Sequence, residues 1–153
     1  MVKVQSNSDQ VVRRTVFKIM EKIDMRSPVG NPSLWKDWNK GGVAANPEHW
    51  LVKAGFVGEG YVGGHFRANW QLGVNVQSTG EIKGHDYKGK LEQEQAKIPA
   101  KAAGPVYYYQ NNVPYAQAIE DGHSQGQAPH GVVGLVVVEF GGIVSEAVTG
   151  VNK

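Results

Sequence analysis

The sequence from residue 27 to residue 66 has no sustained hydrophobic period, although the segments on both sides of it do. It is rich in glycine, proline and tryptophan, and glycine and proline interrupt helices and strands. Unpatterned connections of this length are uncommon inside a domain, and those that occur are often functional. We therefore predict one domain, residues 1–153, with residues 27–66 forming a long irregular loop that we call the arm.

Helical spacing marks the two ends of the chain. Apolar residues from Val12 to Ile23 predict a helix over about 9–25, with the polar residues at 7–9 as candidate caps and Pro28 beyond its end. The C-terminal stretch predicts a helix over about 132–149. Residues 132–140 are β-branched enough for a buried strand, but the helical period continues well beyond them.

Shorter patterns lie between these helices. Alternation from Trp70 to Gln77 and a tyrosine-rich run over Val106–Gln110 predict two strands. Residues 91–104 predict a short or broken helix, and Pro114 and Gly122 are suited to open and close another. The expected fold is α+β, with a small antiparallel sheet covered by the N-terminal and C-terminal helices.

Composition narrows the function classes. A formal net charge of +2 is small for a protein that binds nucleic acid through many phosphates, and the absence of cysteine excludes thiolate catalysis and disulfides. No signal peptide and no run of eighteen consecutive apolar residues occur, so we expect synthesis in a cytoplasm and no membrane partner. The basic cluster Arg13, Arg14, Lys18 and Lys22 is typical of a solvated helix face.

Enzyme chemistry finds little support in the spacing of the residues. Gly58, Gly60 and Gly63 match a dinucleotide-binding spacing, but they lack the preceding strand and following helix that such a site needs. The five histidines show no metal-ligand spacing, so no metal or cofactor is expected. A small hydrolase using His123 and Ser124 with Glu120 or Asp121 stays the alternative, although adjacent loop side chains rarely form a triad.

Two passages carry a resemblance to a known family. The first comprises SPVGNPSLWK at residues 27–36 and GYVGGHFRANWQLGV at 60–74, and the second is YYYQNNVPYAQAIEDGHSQGQAPHGVV at 107–133. They resemble the lambda-like tail completion and neck proteins of long-tailed bacteriophages, with a long insert between Trp35 and Gly60. The matching positions are Gly64, Arg67, Asn69, Trp70, Asn112, Pro114, Tyr115, Ala116, Glu120, Gly122, Gln127, Ala128, Pro129 and Gly131.

The resemblance implies a structural virion protein, not an enzyme, that completes the top of the tail and helps join it to the head. Its implied partners are copies of itself in a ring, with sixfold-type symmetry, together with neck and tail-tube proteins. DNA in the channel would lie nearby without specific binding. A tail terminator or a head-side stopper is the alternative within this class.

Two groups of residues follow from this interpretation. The candidate contact residues are aromatic or lie on loops: Trp35, Trp38, Trp50, Tyr61 and His123. The motif residues expected to hold the fold are Arg67, Trp70, Pro114, Tyr115, Glu120, Gly122 and Pro129. Arg67 and Glu120, an opposite charge pair, are expected to bind one another within the subunit.

Overall fold

The structure, a computed structural model, describes residues 2–30, 50–53 and 62–152, without the side chains of residues 2–6, 50 and 51. Its elements in chain order are α1 (Val2–Arg26), α2 (Trp50–Lys53), α3 (His65–Ala68), β1 (Trp70–Val74), α4 (Lys90–Gln95), β2 (Tyr107–Asn111), α5 (Ala116–Glu120) and α6 (Val133–Val151). The two strands form an antiparallel sheet, so the predicted α+β class is confirmed.

The N-terminal helix is longer than its sequence pattern predicts, because α1 begins at Val2 and not near residue 9. No proline or glycine precedes residue 9, and polar residues inside a helix cost only about 0.5 kcal/mol each. The expected capping role of Asp9 is wrong. Its Oδ1 atom instead accepts a hydrogen bond of 2.8 Å from the Ala103 amide and ties α1 to the segment before β2.

Both predicted strands exist, and they pair directly although 32 residues separate them in the chain, with Trp70 opposite Asn111 and Val74 opposite Tyr107. β1 ends before Asn75, which adopts a positive φ of 62° and whose amide donates to Val106 O at 2.8 Å. The chain then folds back over Gly73. A side chain at Gly73 would overlap the Val76 carbonyl, so the return requires glycine there.

The connection from β1 covers the outer face of the sheet through side-chain amides. Asn69 is fully buried, and its amide group donates to Ile82 O at 3.1 Å while its oxygen accepts from Ile82 N at 2.7 Å. The side-chain amides of Gln71, in β1, and Asn112, just after β2, both donate to Gly80 O. Backbone groups that lie over the sheet are thereby satisfied.

The inner face of the sheet packs on α1 and forms two apolar clusters. One cluster joins the sheet and α1 to α6 and α5, and its buried members are Ile23, Phe66, Trp70, Val113, Ala128, Val132, Val136 and Ile143. The other cluster lies toward α4, and its buried members are Met20, Leu72, Ile98 and Ala102. Tyr109 packs against both. The inner face of the sheet is therefore covered by α1 and by the two apolar clusters.

The C-terminal segment is a helix throughout, so the helical prediction for residues 132–149 is confirmed and the strand alternative for 132–140 is wrong. α6 packs along α1 through Val136, Ile143 and Ala147, which are seven and four residues apart and share one face. Gly141 and Gly142 are exposed on the opposite side, so they leave this packing intact.

A candidate interaction site at the base of the arm

The two ends of the arm meet at one place on the domain surface. Gly30, after α1, lies directly against Gly63, before α3, so closely that a Cβ atom on Gly63 would overlap the Gly30 backbone. The two described ends of the arm therefore form a closed base, as the ends of compact surface loops do. The outer limits predicted for the arm, however, belong to the fold: Ser27 and Phe66 are both buried.

The side chain of Gln127 clamps this base. Its Oε1 atom accepts a hydrogen bond from Val29 N at 2.9 Å, and its Nε2 atom donates to Val29 O at 2.8 Å. One side-chain amide thus satisfies both backbone groups of Val29, as a neighbouring strand would. Val29 and Gln127 belong to the two different sequence passages described above, so those passages join at the start of the arm.

Gln127 is held in place by a compact loop over residues 120–131. Gly122 has φ +85° and lies against the Pro129 carbonyl, while Gly131 has φ +76° and lies against Glu120. Ser124 and Ala128 form a bridge between these contacts. At Gly122 and Gly131 both the positive φ and the close backbone approach require glycine. The buried methyl of Ala128 anchors the loop in the core.

Glu120 fastens this loop to the start of α6. Its carboxylate accepts hydrogen bonds from the amides of Val132, Val133 and Gly134 at 2.7 to 2.9 Å. These amides have no partner within the helix, and the positive end of the helix favours a negative charge. Burial by itself raises the pKa of Glu120, but the three amides outweigh it, so that the pKa lies below its ordinary value.

Arg67 lies on the other side of the base and binds α1. Its Nε and Nη2 atoms donate to the two carboxylate oxygens of Asp24 at 3.1 and 2.6 Å, and its guanidinium lies 4.9 Å from the centre of the Tyr87 ring. The bond to Asp24 is the main reason that the pKa of Arg67 is raised further. The expected pairing of Arg67 with Glu120 is therefore wrong, because each has its own partner within the subunit.

Trp70 binds Ser27, the residue at which the predicted arm begins. Its Nε1 atom donates to Ser27 Oγ at 2.7 Å, and Ser27 Oγ donates to Ile23 O at 2.7 Å. The indole stacks on Tyr109 with 5.2 Å between ring centroids and meets Phe66 edge-on at 5.8 Å. This set packs with Ile23 near the C-terminal end of α1, where the predicted arm begins.

The remaining candidate residues have different positions. Tyr115 packs on the core, with its ring 6.4 Å from Phe66, whereas Pro114 is exposed just before α5. His123 is exposed on the loop, and its Nδ1 atom donates to Ala118 O at 2.8 Å. Trp35, Trp38, Tyr61 and the side chain of Trp50 lie outside the described residues.

The alternative hydrolase would require Glu120 to serve His123 and Ser124. Glu120, the acid of the alternative hydrolase, has its oxygens turned to three α6 amides, so it is not arranged to orient His123. Within residues 2–30, 50–53 and 62–152, no group of three or more His, Asp or Glu side chains could hold a metal ion. The basic cluster on α1 also serves the fold in part, since Arg13 donates to Pro99 O at 2.6 Å.

Sequence reasoning missed three residues that make this base. In the sequence, Asp24 is one residue of the predicted N-terminal helix, Gln127 is one of several motif positions, and Gly30 is one of many glycines near the start of the arm. Nothing local in the sequence marks Asp24 or Gly30, because their partners lie 43 and 33 positions away in the chain. Gln127 could have been singled out, since it stands in a glycine-rich loop that needs side-chain hydrogen bonds.

A second exposed surface lies on α6, away from α1. By length and composition, α6 is the one helix of the described part that could cross a membrane, and only 17% of that stretch is buried within the protein. The sequence contained no unbroken apolar run of that length because Glu139 interrupts it. Leu135, Val137, Val138, Phe140 and Val148 are all exposed.

In comparisons with known proteins, the chain matches no family model, no curated protein and no solved structure. The functional interpretation therefore depends on the residues of this chain and on their contacts.

Proposed function

We propose that this chain is a structural subunit of a bacteriophage neck, which completes the top of the tail and helps join it to the head, working in several copies as a ring. The observation that carries the proposal is the clamp of Val29 by Gln127. It joins the two passages that resemble neck proteins at the point where the arm departs.

The contacts of the motif residues support an attachment role. Arg67, Trp70 and Glu120 each bind a partner within the subunit, so the domain forms a firm base for the arm. The arm itself is rich in tryptophan, which anchors protein interfaces well because it buries a large area at small entropic cost. The candidate contact residues Trp35, Trp38, Trp50 and Tyr61 are all arm residues.

An arm replacement tests this role. Because Gly30 and Gly63 touch, residues 31–62 can be replaced by about three to five glycine and serine residues, the length of an ordinary connection. We expect this variant to fold, as judged by circular dichroism and cooperative melting. It should fail to restore infectious particles to a phage lacking its own copy of the chain.

A second variant keeps the arm at full length and replaces Trp35 and Trp38 with serine. This variant also should fold and fail to join heads to tails. If the shortened chain does not fold, this variant tests the role of the arm in its place. A control replaces Val76, which is 68% exposed and lies outside the arm, with serine and should leave joining intact. Full particle yield from a folded arm variant would refute the role of the arm.

A further inference from the structure

We infer that the free edge of β2 is a docking site for an extended peptide segment of another protein, which joins the sheet there as a third strand. The sheet has two strands, so each strand has one edge that its partner does not cover. The two edges differ. α4 closes the edge of β1, whereas no helix or strand among the described residues closes the edge of β2.

The register of the sheet shows which backbone groups of β2 point outward. Leu72 stands opposite Tyr109, and its amide donates to Glu94 of α4, on the side away from β2. Opposite residues of an antiparallel pair face each other's backbone or face away from it together, so the Tyr109 N–H and C=O point away from β1. Strand residues alternate, so the same holds for Tyr107 and Asn111.

The outward groups of these three residues have no hydrogen-bond partner in the part of the chain that the structure describes. The side chains of Tyr107 and Asn111 do bind within the subunit, at Ala102 O and Phe66 O, but their backbone groups take no part. The described helices α1, α5 and α6 pack with the inner apolar clusters, not along this edge. An added strand can supply every missing partner at once.

The sequence of β2 lacks the devices that protect exposed edges. Natural sheets protect an edge with charged side chains, with proline or with a bulge. No charged residue stands between Lys101 and Glu120, and β2 contains no proline. Its residues pair one to one with those of β1, without a bulge. An open and uncharged edge of this kind is typical of a strand that receives a partner.

Extended main chain is the ligand that this edge fits. Its outward donors and acceptors recur at every second residue along about 17 Å of strand, and another extended chain presents the complementary order. A helix cannot do so, because its backbone groups are bonded internally. A nucleic acid would find no cation on β2 for its phosphates.

Another protein is a better source of this strand than the same chain. The arm has no strand period, and the helix α2 interrupts it. Two copies could pair through their own β2 edges, but that contact is twofold, and a twofold contact does not by itself build a ring of the kind proposed above. A neighbouring protein of the neck has neither restriction.

The inference deepens the proposed function, since it gives the subunit a second means of binding its neighbours. It rests on that proposal for the argument against a twofold pair. Peptide binding to the purified chain tests the edge itself, whereas particle yield tests the neck role, so the failure of one is distinguishable from the failure of the other.

The test is an NMR titration of the purified full-length chain with a synthetic probe peptide, in which valine and threonine alternate between two terminal lysines. Strand addition should move the amide proton signals of Tyr107, Tyr109 and Asn111 downfield. The signals of Tyr108 and Gln110, whose amides face β1, should stay nearly unchanged and serve as the internal control. A matched control peptide carries methyl groups on its backbone nitrogens. It should bind at least about tenfold more weakly, because it cannot donate hydrogen bonds.

Equal binding of the two peptides overturns the inference, and so does the absence of shifts at the three outward amides at millimolar peptide. Hydrogen exchange of the free chain adds a separate arm to the test, in which Tyr109 should exchange faster than Tyr108. Slow exchange at Tyr109 in dilute solution would show that the same chain already covers the edge. Protection that grows with protein concentration would show that a second copy does, and either result overturns docking of another protein.

Discussion

At the scale of single residues, the two charged motif residues, Glu120 and Arg67, bind partners within the subunit. Glu120 illustrates the point, because a carboxylate next to His123 and Ser124 first suggests catalysis. Its two oxygens are instead occupied by the first amides of α6, which attach the 120–131 loop to the C-terminal helix. Residues chosen for their chemistry thus turn out to hold the base of the arm.

Replacing Glu120 tests this assignment. Glu120→Ala should lower the free energy of unfolding by about 1 to 3 kcal/mol, because partly buried amides lose their acceptor. Glu120→Gln should cost about 1 kcal/mol, since one oxygen remains to cap the helix. Denaturant titration measures both, with the neighbouring Asp121→Asn as control. A stable Glu120→Gln variant that loses a hydrolytic activity would instead favour the enzyme alternative.

Glu139 predicts how the chain responds to acid. Its hydrogen bonds with Arg26 and then Lys22 lower its pKa from 4.5 to about 2. A lowered pKa in the folded state adds stability that is present above the ordinary pKa and is lost as the pH falls from about 4.5 towards 2. Glu139→Gln should therefore flatten the dependence of melting temperature on pH in this range, whereas the exposed Glu146→Gln should leave it unchanged.

At the scale of elements, the regular patterns were predictable and the connections were not. The periods over residues 12–23 and 133–151 identified α1 and α6, and the alternation from Trp70 identified β1. The limits were wrong where a tertiary contact decided them. Asn75 ends β1 through a positive φ, and Asp9 binds Ala103 instead of capping α1. Such contacts join distant parts of the chain, so no local window contains them.

The edge of β1 that does not pair with β2 is covered by a side chain of α4. Glu94 of α4 is 1% exposed, and its Oε2 atom accepts from the Leu72 amide at 2.7 Å while Lys90 and Lys97 bind the carboxylate. Burial alone raises the pKa of Glu94, but these partners together lower it. The strand edge is thereby closed by a side chain in place of a third strand.

Glu94→Ala should destabilise the fold by about 1 to 3 kcal/mol, because the Leu72 amide is left without an acceptor. Amide hydrogen exchange should show faster exchange at Leu72, while the β1–β2 hydrogen bonds stay protected. The exposed Glu92→Ala on the same helix serves as control. Unchanged exchange at Leu72 would show that Glu94 does not close this edge.

At the scale of the whole molecule, the described residues pack around two apolar clusters, and the two ends of the arm meet at one place on their surface. The sequence indicated the arm by its lack of period, but not the closed base where Gly30 meets Gly63. It also did not indicate how much apolar side-chain surface α6 leaves exposed, because the packing of the other elements decides that.

The most direct test of the neck role is to locate the chain in an assembled particle. A small fusion tag at the C-terminus can be imaged by electron cryomicroscopy in particles of a phage that encodes the chain. We expect several copies around the axis at the joint between head and tail, with the arm of each subunit contacting a neighbouring protein. A label at the tail tip, or particles that lack the chain altogether, would contradict it.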